Sequence, residues 1–133
     1  MPERASFDYA VVRVVPRVER EEFLNVGVIV FCRARRFLDA RVELDARRLA
    51  ALAPWLDAAE VAAHLEQIPR VCAGGDRAGP IGRLPQRARF DWLVAPRSTM
   101  IQTSAVHSGL CADPELALEH LMNAMVRVDA AAP

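Results

Sequence analysis

The chain has 133 residues, 53% of them apolar and 26% charged, with seventeen basic and seventeen acidic side chains for a formal net charge of zero. This is the composition of one globular domain, large enough to bury a core without a metal or disulfide, and it excludes a disordered or fibrous chain. Every basic residue is arginine. Without lysine there is no Schiff base, no phosphate-loop lysine and no serine–lysine dyad.

The first element is Phe7 to Val15, β-branched and aromatic, closed by Pro16. It reads as a central or near-central strand. Arg17 to Glu22 is polar and fits a loop or a short helical turn, and its Glu19, Glu21 and Glu22 read as a solvated charge run. A second strand follows from Phe23 to Cys32, containing the longest apolar run, Val26 to Cys32. That run is too short to cross a bilayer. Asn25 and Gly27 interrupt the strand, which predicts a bulge or a close backbone approach at Gly27. After a turn at 33–36, Phe37 to Leu44 alternates apolar and charged residues, the mark of a half-exposed strand.

Asp45 and Asp57 each stand where a helix cap belongs. They predict one helix over 46–53, limited by Pro54, and a second that Pro69 ends or kinks. Gly74-Gly75 marks a loop, and residues 76–89 predict irregular chain with at most a short helix. Phe90 to Val94 reads as a fourth strand or an apolar anchor. Residues 100–106 suggest another strand. Asp113-Pro114 begins a last helix, with Leu118, Leu121, Met122 and Met125 as its apolar stripe and its end near Arg127. Residues 130–133 are expected to fray. The expected fold is α+β: an antiparallel meander of early strands, packed on one face by helices, in a two-layer single domain over 1–133.

Cys32, Cys72 and Cys111 are too widely spaced for paired metal ligands, and His64, His107 and His120 form no zinc pattern, so no metal site is expected. No cofactor fingerprint is present: Gly74, Gly75 and Gly79 lack the dinucleotide spacing. The N-terminus Met-Pro-Glu-Arg leads into no secretory segment, and the expected compartment is the cytoplasm.

The segment 98–112 has no charge yet carries many polar residues. Arg97 precedes it, beside Ser98 and Thr99, and an arginine fork next to two hydroxyls can hold a carboxylate or phosphate. Arg89, Arg97, Ser98, Thr99, Gln102 and His107 are the candidate ligand or anion-binding residues, with the start of the last helix as a nearby positive end. His107 is the weak candidate for a general base, near Ser98, Ser104 or Cys111, but no nucleophile elbow accompanies it. Two arginine-rich stretches, 32–48 and 77–97, offer a lesser reading as a nucleic-acid face using Arg33, Arg35, Arg36, Arg83, Arg87 and Arg89. Trp55, Trp92, Phe37 and the last helix's methionines are candidates for contact with a second copy.

The string from Tyr9 to Cys32, the segments Arg89 to Thr99 and Gln102 to Pro114, and the pair Leu118-Glu119 occur in an order that resembles the bacterial family called domain of unknown function 3037. The resemblance runs from about Phe7 to Val126. It adds Arg13, Glu22, Asn25, Gly27 and Gly109 to the positions of interest. This chain departs from the family pattern at Asp91, where the pattern has histidine, and at Ala105, where it often has proline. The resemblance implies no known catalytic role. It points to partnership with a HipA-type kinase, since such kinases are sometimes encoded alongside. The leading expectation is a non-catalytic accessory or interaction domain, present as a homodimer. A domain for a phosphorylated or nucleotide-like ligand is the alternative, and whether the chain is an enzyme stays open.

Overall fold

The structure is a computed structural model that describes residues 3–128; the expected fraying at 130–133 lies outside them. Three strands open the chain: β1 (Ala5–Val14), β2 (Leu24–Cys32) and β3 (Phe37–Val42). They form the antiparallel meander that their alternation predicts. A single 3-10 turn, Val18–Arg20, joins β1 to β2, and Glu21 closes it at φ 57. The register between β1 and β2 slips at Val12/Arg13: Val12 faces Gly27, Arg13 faces Asn25, and Val26 is the extra residue. Gly27 also meets the other expectation. A Cβ there would lie 2.5 Å from the Arg41 carbonyl, so only glycine admits this approach of β2 to β3.

Then come α1 (Ala46–Leu52), α2 (Ala58–Leu65), α3 (Gln67–Ala73), a 3-10 segment (Asp76–Arg83) and α4 (Gln86–Val94). Asp45 and Asp57 cap α1 and α2 as anticipated, each accepting two backbone N–H groups. One expectation fails in this stretch and one resolves between its alternatives. Pro69 kinks the helical run rather than ending it: the break falls at Glu66, next to the Leu65 carbonyl four residues back that the proline ring cannot approach, and Pro69 sits in the first turn of α3, where its missing N–H has no helical partner to lose. Phe90 to Val94 is not a strand but the second half of α4. Phe90 and Leu93, three apart, are both buried there, and Arg87 pairs with Asp91 at helical spacing. The aromatic composition masked that period.

The chain returns to the sheet with β4 (Ile101–Thr103) and β5 (His107–Cys111) before α5 (Pro114–Met125). β5 is an addition to the expected elements. Both short strands lie antiparallel to β1, on the side away from β2, and the register slips by one residue between them. Ser104 repairs the gap: its N–H donates to the Val11 carbonyl at 2.8 Å, and its Oγ accepts the Val11 N–H at 2.9 Å.

The class is α+β, as expected, but the layers number three. Val12, Ile29, Phe31 and Leu38 face α1–α4, where Leu49, Val61, Leu65, Val71, Phe90 and Leu93 complete one core. Val28, Val30, Cys32 and Phe7 point the other way and meet Leu118, Leu121 and Met122 of α5. α5 therefore covers the second face, and the expectation of helices on one face only is corrected. The methionine candidates for an interface go with it: Met122 is fully buried and Met125 packs against the same core. Asp113 caps α5 through the Glu115 N–H. Two arginines fasten it to β3: Arg41 pairs with Glu115 and Glu119, and Arg127 with Glu119 and Glu43.

Candidate functional site

A cleft of about 360 Å³ opens where α2, α3, α4 and residues 97–103 meet. Ile68, Val71, Leu93, Met100 and Ile101 give it apolar walls, and His64, Gln67, Arg97 and Gln102 supply polar atoms. This size and mixture are typical of sites that bind small molecules or single side chains. Its mouth is shaped by the exit from α4. Pro96 prevents the helix from continuing, and Arg97 folds back on it. The Arg97 Nη1 donates to the Leu93 carbonyl at 3.0 Å, and Nη2 to the Trp92 carbonyl at 2.6 Å. The guanidinium then lies 4.5 Å over the Trp92 ring, whose residue is 42% exposed. Thr99 Oγ1 donates to the Ile101 carbonyl and Gln102 Nε2 to the Thr99 carbonyl, both at 2.8 Å, which fixes the 99–102 turn.

Of the six residues singled out for anion binding, Arg97, Thr99 and Gln102 line this cleft together. Ser98 adjoins it in sequence without lining it. Arg89 is elsewhere and buried: its Nε donates to the Leu84 carbonyl at 2.9 Å, and its Nη1 to those of Val71 at 2.9 Å and Cys72 at 2.5 Å. It ties the end of α3 to the start of α4. His107 is exposed on β5, its ring tilted against that of Tyr9 with 5.5 Å between the centroids. β5 runs from beside Tyr9 towards Ala5, so it carries the start of α5 to the end of β1 away from the cleft. The cleft residues His64, Gln67 and Ile68 carried no signal of their own, because a helical histidine and glutamine look like any exposed helix face.

The family-pattern positions divide. Gly27 is the close approach already described. Gly109 lies under the Phe7 ring, which a Cβ would meet at 2.9 Å. Asn25 Nδ2 donates to the Met125 carbonyl at 3.1 Å, joining β2 to the end of α5. Glu22 pairs with Arg20 at the surface. Arg13 faces Asn25 across β1 and β2, and each leaves one buried polar atom without a hydrogen-bond partner among the described residues, the Arg13 Nε and the Asn25 Oδ1. The Arg13 guanidinium lies 4.1 Å over the half-exposed Phe23 ring. A third arginine, Arg17, covers Trp55 in the same way at 4.5 Å. All three pairs surround the end of the sheet where β1 finishes and Val15 N–H meets the Met100 carbonyl.

Other chemistry has little to build on. Ser104 is spent on the β1 repair, and Ser108 Oγ donates to Asp8 at 2.7 Å. Burial pushes the Cys72 thiol up to about 12, with Asp39 adding and Arg89 opposing. Burial also raises Cys111, with Cys32 beside it. Among the described residues no three His, Cys, Asp or Glu side chains cluster to hold a metal, and no helix is long and apolar enough to cross a membrane. The two arginine-rich stretches do adjoin, since Gln86 Nε2 donates to the Arg36 carbonyl and Arg33 and Arg87 line one shallow pocket. Acids interleave them, however: Asp8 lines that pocket, Asp91 pairs with Arg87, and Asp76 with Arg83.

Fold and site together define an α+β domain built on a five-stranded antiparallel sheet, with an apolar cleft and three arginine-covered aromatic rings at one end of it. The chain belongs to the family described as "Protein of unknown function (DUF3037)", whose model matches residues 9–126. No curated protein and no solved structure matches the chain.

Proposed function

We propose that this chain is a non-catalytic interaction domain of the cytoplasm that recognises a partner protein through the cleft end of its sheet. One observation carries the reading: three aromatic rings, Phe23, Trp55 and Trp92, are 42–54% exposed at one end of the sheet, each under an arginine. Tryptophan and arginine dominate the energetics of protein interfaces. An arginine stacked on an aromatic ring is held in place before binding, so less side-chain freedom is lost on docking. The cleft beside Trp92 offers a socket for an apolar anchor. A HipA-type kinase is the partner that the family resemblance favours. Homodimerisation belongs to the same reading, supported by the outer edge of β5, which no strand of the described residues pairs, and by Leu110 on it, 66% exposed.

The alternative, a small phosphorylated or nucleotide-like ligand, draws on Arg97, Thr99 and Gln102 sharing the cleft. Its polar atoms are partly committed to backbone carbonyls, and the walls are chiefly apolar, which favours the protein-anchor reading. Native mass spectrometry of gently purified protein tests both. A dimer without small-molecule adduct, and a complex with an added HipA-type kinase that Trp92→Ala abolishes, are the expected results. A retained phosphate-bearing ligand would move the assignment to the alternative. A strict monomer that binds no partner would overturn the proposal.

A further inference from the structure

We infer that β4 is the docking edge for an extended segment of the partner, one in which apolar residues alternate with acidic ones. This rests on the interaction reading and names the partner's chemistry. β4 ends its side of the sheet: no strand of the described residues pairs with its outer edge. Val15 N–H donates to Met100, Ser104 N–H to Val11, and Arg13 pairs with Gln102 between them. In an antiparallel ladder the intervening residues turn their backbone groups the other way. Ile101 and Thr103 therefore aim N–H and C=O outward; the Ile101 carbonyl already accepts from Thr99 Oγ1, so the Ile101 N–H and both Thr103 groups are what the edge offers to a strand that would add there.

The two faces beside this edge carry different chemistry. On the α2–α4 side lies the apolar cleft. On the α5 side lies a pocket of about 290 Å³ lined by Arg13, Val18, Glu21, Phe23 and Gln102. Gln102 lines both. Side chains of an added strand alternate between the faces, so one set enters the cleft and the other reaches Arg13. That guanidinium is half-buried, makes no ion pair with a described carboxylate, and keeps an unpartnered Nε. Charge withdrawn from water without a counter-ion is costly, and a carboxylate at this point removes the cost. Glu21 shares the pocket and opposes an incoming acid.

The test uses three short capped peptides: alternating Leu-Asp-Leu-Asp-Leu, its block isomer Leu-Leu-Leu-Asp-Asp, and the alternating peptide N-methylated along its backbone. Binding is followed by calorimetry and by amide NMR shifts of the whole chain. The alternating peptide should shift Ile101 and Thr103, weaken about tenfold with Arg13→Gln in a protein of unchanged melting temperature, and tighten with Glu21→Gln. N-methylation should abolish it. Equal binding by the block or methylated peptide, or none by the alternating one at ~1 mM, overturns the inference. If the peptide fails while kinase capture through Trp92 persists, the edge assignment falls and the interaction reading stands. Self-association that Thr103→Pro abolishes, with no peptide bound, makes the edge a seam between two copies and overturns it equally.

Discussion

Arg89 shows how one side chain can look functional in a sequence and be structural in the fold. An arginine in a polar stretch suggests an anion. Here the anion is replaced by three backbone carbonyls, those of Val71, Cys72 and Leu84. Two of them end α3, where unpaired carbonyls give the helix its negative end. Gly74, at φ 76, passes so close that a Cβ would lie 2.9 Å from Arg89 Nη1. Replacing Arg89 by Met keeps much of the volume but leaves the three acceptors without a donor. Hydrogen bonds to charged groups contribute roughly 1.5–3 kcal/mol each, and neighbouring losses do not simply add. Arg89→Met should therefore cost about 3 kcal/mol in urea unfolding. A cost below ~1 kcal/mol would mean that the carbonyls find other donors, and that Arg89 has a role beyond bracing α3.

At the level of elements, what was legible depended on whether local chemistry or packing decided the outcome. The caps at Asp45, Asp57 and Asp113 were readable because one side chain satisfies backbone N–H groups within its own turn. The meander was readable because its strands alternate or are β-branched. α4 was not, because Phe90, Trp92, Leu93 and Val94 have strand-like composition, and tertiary packing of Phe90 and Leu93 overrode it. β5 was not, because His-Ser-Gly-Leu-Cys has no strand pattern; its pairing with β1 and the Phe7 ring over Gly109 hold it in place. Half of the anion-site candidates met in one cleft because they sit within six residues of one another. Arg89 and His107 did not, since nothing local links them to it. The attachment of α5 is a matter of long-range charge. The Arg127 guanidinium holds the Glu43 and Glu119 carboxyls below their usual value of 4.5. A carboxyl with a lowered folded pKa stabilises the fold above its unfolded value, and that stabilisation fades as pH falls through the folded one. Acid should loosen α5 first, below about pH 4.5. Hydrogen exchange at falling pH should show α5 amides losing protection before those of β1 and β2. Simultaneous loss everywhere would assign the anchoring to the apolar contacts of Leu118 and Met122 instead.

For the molecule as a whole, the unbroken apolar run Val26 to Cys32 held the clue to a third layer. A strand with one dry face alternates, whereas one with two dry faces reads as continuous apolar sequence. The sheet thus separates two cores, and their independence can be measured. Val61 of α2 is 2% exposed in one core, and Val30 of β2 is 0% exposed in the other. Each Val→Ala change removes two methyl-sized groups, about 2 kcal/mol with the cavity included. The two residues belong to different clusters on opposite sides of a hydrogen-bonded sheet. Changes at separate sites usually add within about 0.5 kcal/mol. The double variant should then lose about 4 kcal/mol, still as one cooperative transition, because β2 contributes alternate side chains to both cores. An interaction energy above ~1 kcal/mol would show that β2 shifts bodily between its neighbours, so that packing on the α5 face is felt in the helices lining the cleft. Two separate transitions would show that the α5 layer unfolds by itself, leaving the cleft and the β4 edge intact on the remaining sheet.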